Sequence, residues 1–181
     1  CVLQKKNFDD LPHIIERART LDLDEISFLA VDVDSEAFNR PGGWEQDRVR
    51  EVALDPDEVN AFERILEEVI REHRDAFASG FIAESPDRLR RLPAYFRALN
   101  GDAEFPENTC NALWTSTVVE ADGTVRPCFF HEPLGNVHEE SLYAILNSER
   151  AVAFRRELDV SENSVCESCT CTLHVAPHEQ I

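Results

Sequence analysis

The chain contains no methionine, only two lysines and only six glycines in 181 residues. Basic charge is scarce throughout: 18 lysines and arginines stand against 36 aspartates and glutamates, a formal net charge of −18. Such a balance speaks against nucleic acid or an anionic membrane as partner, since both require a basic surface. No apolar run approaches the ~20 residues that span a bilayer. No basic stretch followed by an apolar one marks a secretion signal, so the expected location is cytoplasmic. Position 1 is cysteine, and "CVLQKKNF" reads as the middle of a strand. The expectation is a piece of a longer protein whose N-terminal part lies upstream. What the chain does have is 43% hydrophobic residues, enough for a packed core. The length fits one large domain or two small ones.

The first hundred residues read as alternating strand and helix. "VLQ" has the character of a buried strand end. In "NFDDLPHIIERARTLDL", Leu11, Ile14, Ile15, Ala18 and Leu21 recur at helical spacing, with Asp9 and Asp10 where a helix dipole favours negative charge. "EISFLAVD" is a second strand. A strand–helix–strand unit of about 30 residues normally forms a parallel pair. Residues 33–54 show no period, and Arg40-Pro41-Gly42-Gly43 breaks any element, so a long loop is expected, either a lid or a surface insertion.

A long helix follows from the Asp55 cap and Pro56, with Val59, Phe62, Ile65, Leu66, Val69 and Ile70 on its buried stripe. His73 beside that stripe reads as a partly buried histidine. "SGFIAE" suggests a short strand. "SPDRLRRLPAYFRALNG" suggests a helix that starts at Ser85–Pro86 and is split in two by Pro93. Residues 101–107 read as a linker.

From Cys110 the pattern changes. "ALWTSTVVEADGTVRPCFF" is a hairpin signal around Asp122-Gly123, "PLGNV" a turn, and "SLYAILNSE" a helix capped by Ser141. Cys110 and Cys128 flank the hairpin and meet at its open end if the strands pair. Cys166 and Cys169 form a C-x-x-C pair within "CESCTC". Without secretion, such thiols are expected to be metal ligands, with oxidised disulfides as a third reading that predicts no metal and no free thiols. Two from the hairpin and two from the knuckle make a four-thiolate site for zinc or an iron–sulfur cluster. Zinc ribbons usually carry two knuckles, and here there is one. Cys171 and His174 are spare ligands nearby, Cys171 alternatively a free apolar thiol.

Cys110-x12-Gly123-x4-Cys128, followed by Cys166-x2-Cys169, resembles the twitch domain, the short form of the SPASM domain that follows the barrel of radical S-adenosylmethionine (SAM) enzymes. "DGTVRPCFF", "LGNV" and "SLYAILNSE" agree, and the likeness spans roughly 106–174. The resemblance implies that Cys110, Cys128, Cys166 and Cys169 bind one auxiliary [4Fe–4S] cluster, with too few further cysteines for a second cluster in this region. It implies a fold of α/β plus α+β type: 1–100 as the C-terminal part of a partial (β/α)6 radical SAM barrel, then 101–181 as a small twitch/SPASM domain of β-hairpin, helix and cysteine knuckle. It suggests Gln4, Asn7, Leu29 and Ala30 as SAM contacts, although ordinary strand-end polarity explains them equally well. The family's C-x3-C-x2-C motif for the SAM-cleaving [4Fe–4S] cluster does not occur in this sequence, and no catalytic residue is assigned. The expected full-length protein is an oxidoreductase that uses SAM, acts on a peptide or small molecule, and takes electrons from a donor such as ferredoxin or flavodoxin. The competing expectation is a non-catalytic zinc module with four cysteine ligands, serving structure or protein contacts.

Overall fold

The computed structural model describes residues 1–33, 35, 37 and 43–175. It is a mixed α/β structure with two small sheets. The chain divides into two compact units. One comprises Cys1–Val33 and Trp44–Pro106, and the other takes in the described residues from Glu107 onward.

In the first unit, strand β1 (Val2–Leu3) leads through a 3-10 turn at Phe8–Asp10 into helix α1 (Leu11–Thr20) and strand β2 (Leu29–Ala30). β1 and β2 pair in parallel, Val2 against Leu29 and Leu3 against Ala30, as the strand–helix–strand pattern predicts. Helix α2 (Gln46–Val52) occupies the end of the stretch expected to be loop. Its apolar positions facing the core are Val49 and Val52, too short a repeat to register as a period. The break expected at Arg40–Gly43 lies almost wholly outside the described residues.

Helix α3 (Pro56–Glu72) begins at a capping box, with Asp55 Oδ1 accepting from Glu58 N–H at 3.0 Å and Asp55 N–H donating to Glu58 Oε2 at 2.9 Å. It ends at His73, and α4 (Arg74–Ala78) follows as a separate short helix. "SGFIAE" supplies no full strand. It makes one parallel bridge, Ile26 to Ile82, which places 81–83 beside the segment entering β2.

Helix α5 (Pro86–Leu99) runs unbroken through Pro93, against the expected split. Proline removes one ladder bond and crowds the preceding turn, at a cost of ~3 kcal/mol. The compensation is one continuous apolar stripe. Leu89, Leu92, Tyr95 and Phe96 are all buried in the core with Phe62 and Leu66 of α3. A split at Pro93 would separate the two halves of that stripe.

In the second unit, Ala112–Thr115 forms a single helical turn, α6, where a strand was expected. Thr115 and Ser116 hydroxyls donate back to the Asn111 and Ala112 carbonyls, both at 3.0 Å, a local bond that competes with strand pairing. The hairpin is correspondingly short: β3 (Val118–Val119) pairs antiparallel with β4 (Thr124–Arg126). "PLGNV" is more than a turn. It holds a third strand, β5 (Gly135–Asn136), against β4. Gly123 in the hairpin turn has φ +85°, and a Cβ there would stand 2.6 Å from the His138 ring. Only glycine meets both constraints.

Helices α7 (Leu142–Leu146) and α8 (Glu149–Glu157) are capped by Ser141 and Ser148, each hydroxyl accepting from a backbone N–H three residues on. α9 (Ser164–Glu167) carries the first knuckle cysteine.

Ion pairs brace α3 against α5. Arg97 forks onto Glu63 at 2.8 and 2.7 Å, and Arg90 onto Glu67 at 2.7 and 3.1 Å. Hydrogen bonds from these guanidinium groups hold both carboxyls below the ordinary range. A lowered folded pKa gives stability that is complete above the unfolded value of about 4.3 and is lost as pH falls through the folded one. The pairs are partly exposed, so solvent screens them and each contributes only weakly. In urea titrations, stability should therefore fall between about pH 5 and pH 3 less steeply for Arg97→Met than for the parent. Comparing the two cancels the relief of acidic self-repulsion common to both. Equal slopes would show that the Glu63–Arg97 pair contributes nothing to folding.

Candidate metal centre

Asparagine amides bring the hairpin cysteines and the knuckle together. Asn108 Nδ2 faces three carbonyls of the knuckle, those of Cys166 at 2.6 Å, Glu167 at 3.2 Å and Cys169 at 3.1 Å. Asn111, on the other side of Cys110, exchanges two bonds with the Val175 backbone, its Nδ2 donating at 2.8 Å and its Oδ1 accepting at 2.9 Å. Asn111 N–H also donates to the Leu173 carbonyl at 2.8 Å. Asn163 caps α9, its Oδ1 accepting from the N–H groups of Val165 at 3.1 Å and Cys166 at 3.2 Å. Cys169 N–H closes the knuckle turn onto the Cys166 carbonyl at 3.3 Å.

The result is one cavity of about 170 Å³ in the second unit, lined by Cys110, Cys128, Cys166, Cys169 and Cys171 together with His131. All six cysteines are free thiols. Cys171 is exposed as a residue, but its side chain belongs to the cavity wall. His174 is exposed and outside the wall. Cys1 lies in the first unit, its backbone nitrogen donating to the Ser27 carbonyl at 2.6 Å.

Burial sets the charge state of these thiols. It pushes Cys169 up to about 12 and Cys166 up to about 11, and raises Cys128 and Cys171 as well. A negative charge on Cys110 would push each of the four further in the same direction. The four thiols that burial raises, Cys128, Cys166, Cys169 and Cys171, therefore stay protonated until a cation takes the place of the protons. Backbone donors are already aimed at the sulfurs. The N–H groups of Phe130 and His131 face Cys128, and Cys171 N–H donates to Cys169 Sγ at 3.4 Å.

Thiols from two segments around one cavity are a donor set of the kind that iron–sulfur clusters use. Among the described residues, no group of three or more His, Cys, Asp or Glu side chains is gathered tightly enough to hold a metal ion. A tetrahedral zinc with bonds of about 2.3 Å needs its sulfurs in near contact. A cluster places each thiolate on its own iron, so the sulfurs surround a volume.

Residues 110–170 match the model of SPASM, an iron-sulfur cluster-binding domain. What the match implies for this segment is iron–sulfur cluster binding. No curated protein and no solved structure matches the chain.

The residues suggested as SAM contacts lie in the first unit. Leu29 and Ala30 are β2 itself. Asn7 Oδ1 accepts from Gln4 N–H at 2.8 Å, and its Nδ2 donates to the Val2 carbonyl at 3.0 Å, so this side chain shapes the turn after β1. Sequence reasoning passed over Asn108, Asn111 and His131. Only their positions beside Cys110 and Cys128 hinted at a role. Among the described residues, no helix is long and apolar enough to cross a membrane.

This geometry makes the ligand set and its clamp separately testable. Cys128→Ala or Cys169→Ala should strip the bound iron, while Cys1→Ala leaves it intact. Full iron in Cys169→Ala with loss in Cys171→Ala would move the ligand role to Cys171. Asn108→Ala removes the donor shared by the knuckle carbonyls. It should release iron to a chelator several-fold faster than the parent, and an equal release rate would show that the knuckle holds its shape without that amide.

Proposed function

We propose that this chain is the C-terminal portion of a radical SAM oxidoreductase or maturase, and that Cys110, Cys128, Cys166 and Cys169 hold its auxiliary [4Fe–4S] cluster. The observation that carries the reading is the meeting of hairpin and knuckle thiols around one cavity, inside the segment that matches the SPASM domain. SPASM domains are found in radical SAM enzymes. The parallel β1–β2 pair, joined through α1 and extended by the Ile26–Ile82 bridge, is consistent with the last strands of a partial (β/α)6 barrel. On this reading 1–100 belongs to the barrel and 101–181 to the twitch/SPASM unit, and Gln4, Asn7, Leu29 and Ala30 lie toward bound SAM.

When bound, the cluster supplies an electron acceptor or relay close to the substrate. This chain's own residues do the rest. The cysteines ligate, Asn108, Asn111 and Asn163 fix the loops that carry them, and Phe130 and His131 direct N–H groups at sulfur. The SAM-cleaving [4Fe–4S] cluster belongs to the upstream part of the protein. The substrate is a peptide or small molecule, the electron donor a ferredoxin or flavodoxin, and the setting the cytoplasm.

Anaerobic reconstitution tests the cluster directly. The expected product is brown, with a broad absorption near ~400 nm and about four iron and four sulfide per chain. Stoichiometric zinc with no iron would overturn the reading in favour of a structural zinc module held by the same four cysteines.

A further inference from the structure

Among the described residues, His131 is the one polar or charged residue in the buried class, 8% exposed. Its ring lies edge-on to Phe154, with centroids 5.0 Å apart. Its Nε2 stands 3.4 Å from Cys166 Sγ. Its backbone N–H faces the sulfur of Cys128, and its carbonyl accepts from Arg126 Nη1 at 3.0 Å. One residue therefore reaches a thiol from each half of the cage, Cys128 on the hairpin side through the backbone and Cys166 on the knuckle side through the ring.

We propose that His131 is a positioning residue that tunes the cluster, its Nε2–H donating a hydrogen bond to the Cys166 thiolate and raising the reduction potential. The inference rests on the cluster reading above. A cysteine bound to iron is a thiolate and can only accept, so the tautomer that matches it carries the proton on Nε2. Phe154 stands edge-on to the ring, and the ring itself is buried, where a hydrogen bond is electrostatically stronger than in water. Reduction adds one negative charge to the cluster and its thiolates. An N–H···S bond strengthens with that charge and so favours the reduced form. Outer partners of this kind tune a metal centre without ligating it.

The test uses the whole chain, reconstituted anaerobically, as parent, His131→Phe and His131→Gln. Iron and sulfide are counted, and the potential is measured by reductive titration with mediators. All three should load the same iron. His131→Phe should weaken reduction about tenfold, a fall of about 59 mV for one electron. His131→Gln retains an N–H donor and should recover at least half of that change. An unchanged potential in His131→Phe overturns the proposal, as does a glutamine variant that shifts as far as the phenylalanine one. Loss of iron from both variants also overturns it, by making His131 a ligand or a packing element. A parent chain that takes up no iron sinks the cluster reading itself.

Discussion

The side-chain amide of Asn108 is the interaction on which the site depends. It joins the segment entering Cys110 to three carbonyls of a turn nearly sixty residues further on, those of Cys166, Glu167 and Cys169. No disulfide links these segments. Before metal arrives, the cage is held by hydrogen bonds, chiefly from Asn108 and Asn111, and by the apolar residues that wall the cavity. A carbonyl left without its donor in a partly buried turn costs about 1–3 kcal/mol. The clamp therefore contributes both shape and satisfaction of the backbone.

The same burial that organises the cavity raises the thiols of Cys128, Cys166, Cys169 and Cys171. Raised thiol pKa values mean that cation binding and proton release are one event, with metal affinity rising with pH. Five thiolates in one cavity would repel one another without a positive core. The N–H groups of Phe130, His131 and Cys171, directed at Cys128 and Cys169, soften that repulsion. The site is thus preorganised in its backbone while its charge state waits on the metal.

The first unit is organised differently. Its core is apolar, with Leu3 and Ala30 on the paired strands and Phe62, Leu66, Leu89 and Phe96 on the helices that bracket it. Arginine–carboxylate forks along α3 and α5 join the solvent-facing edges of these helices. Glu63, Glu67, Glu72 and Asp87 on these helices are each paired with an arginine at the surface.

Local chemistry was legible in the sequence wherever it acted within a few residues. The Asp55 cap, the parallel β1–β2 pattern, the Asp122-Gly123 turn and the serine caps of α5 and α7 all depend on short-range bonds and periodicity. The C-x-x-C spacing of Cys166 and Cys169 is local in the same sense. Pro93 read as a helix break because the rule counts one lost bond, whereas the tertiary core rewards the intact stripe. α6 and β5 were missed because four residues and two residues are too few to show a period. What the sequence determined by itself was the inventory of thiols and the turns that carry them. The tertiary structure decided which groups stand beside those thiols. Cys171 joins the cavity wall, and Asn108 and His131 bond to segments 58 and 35 residues away. Contacts over such separations arise from packing, and packing leaves no local pattern to read.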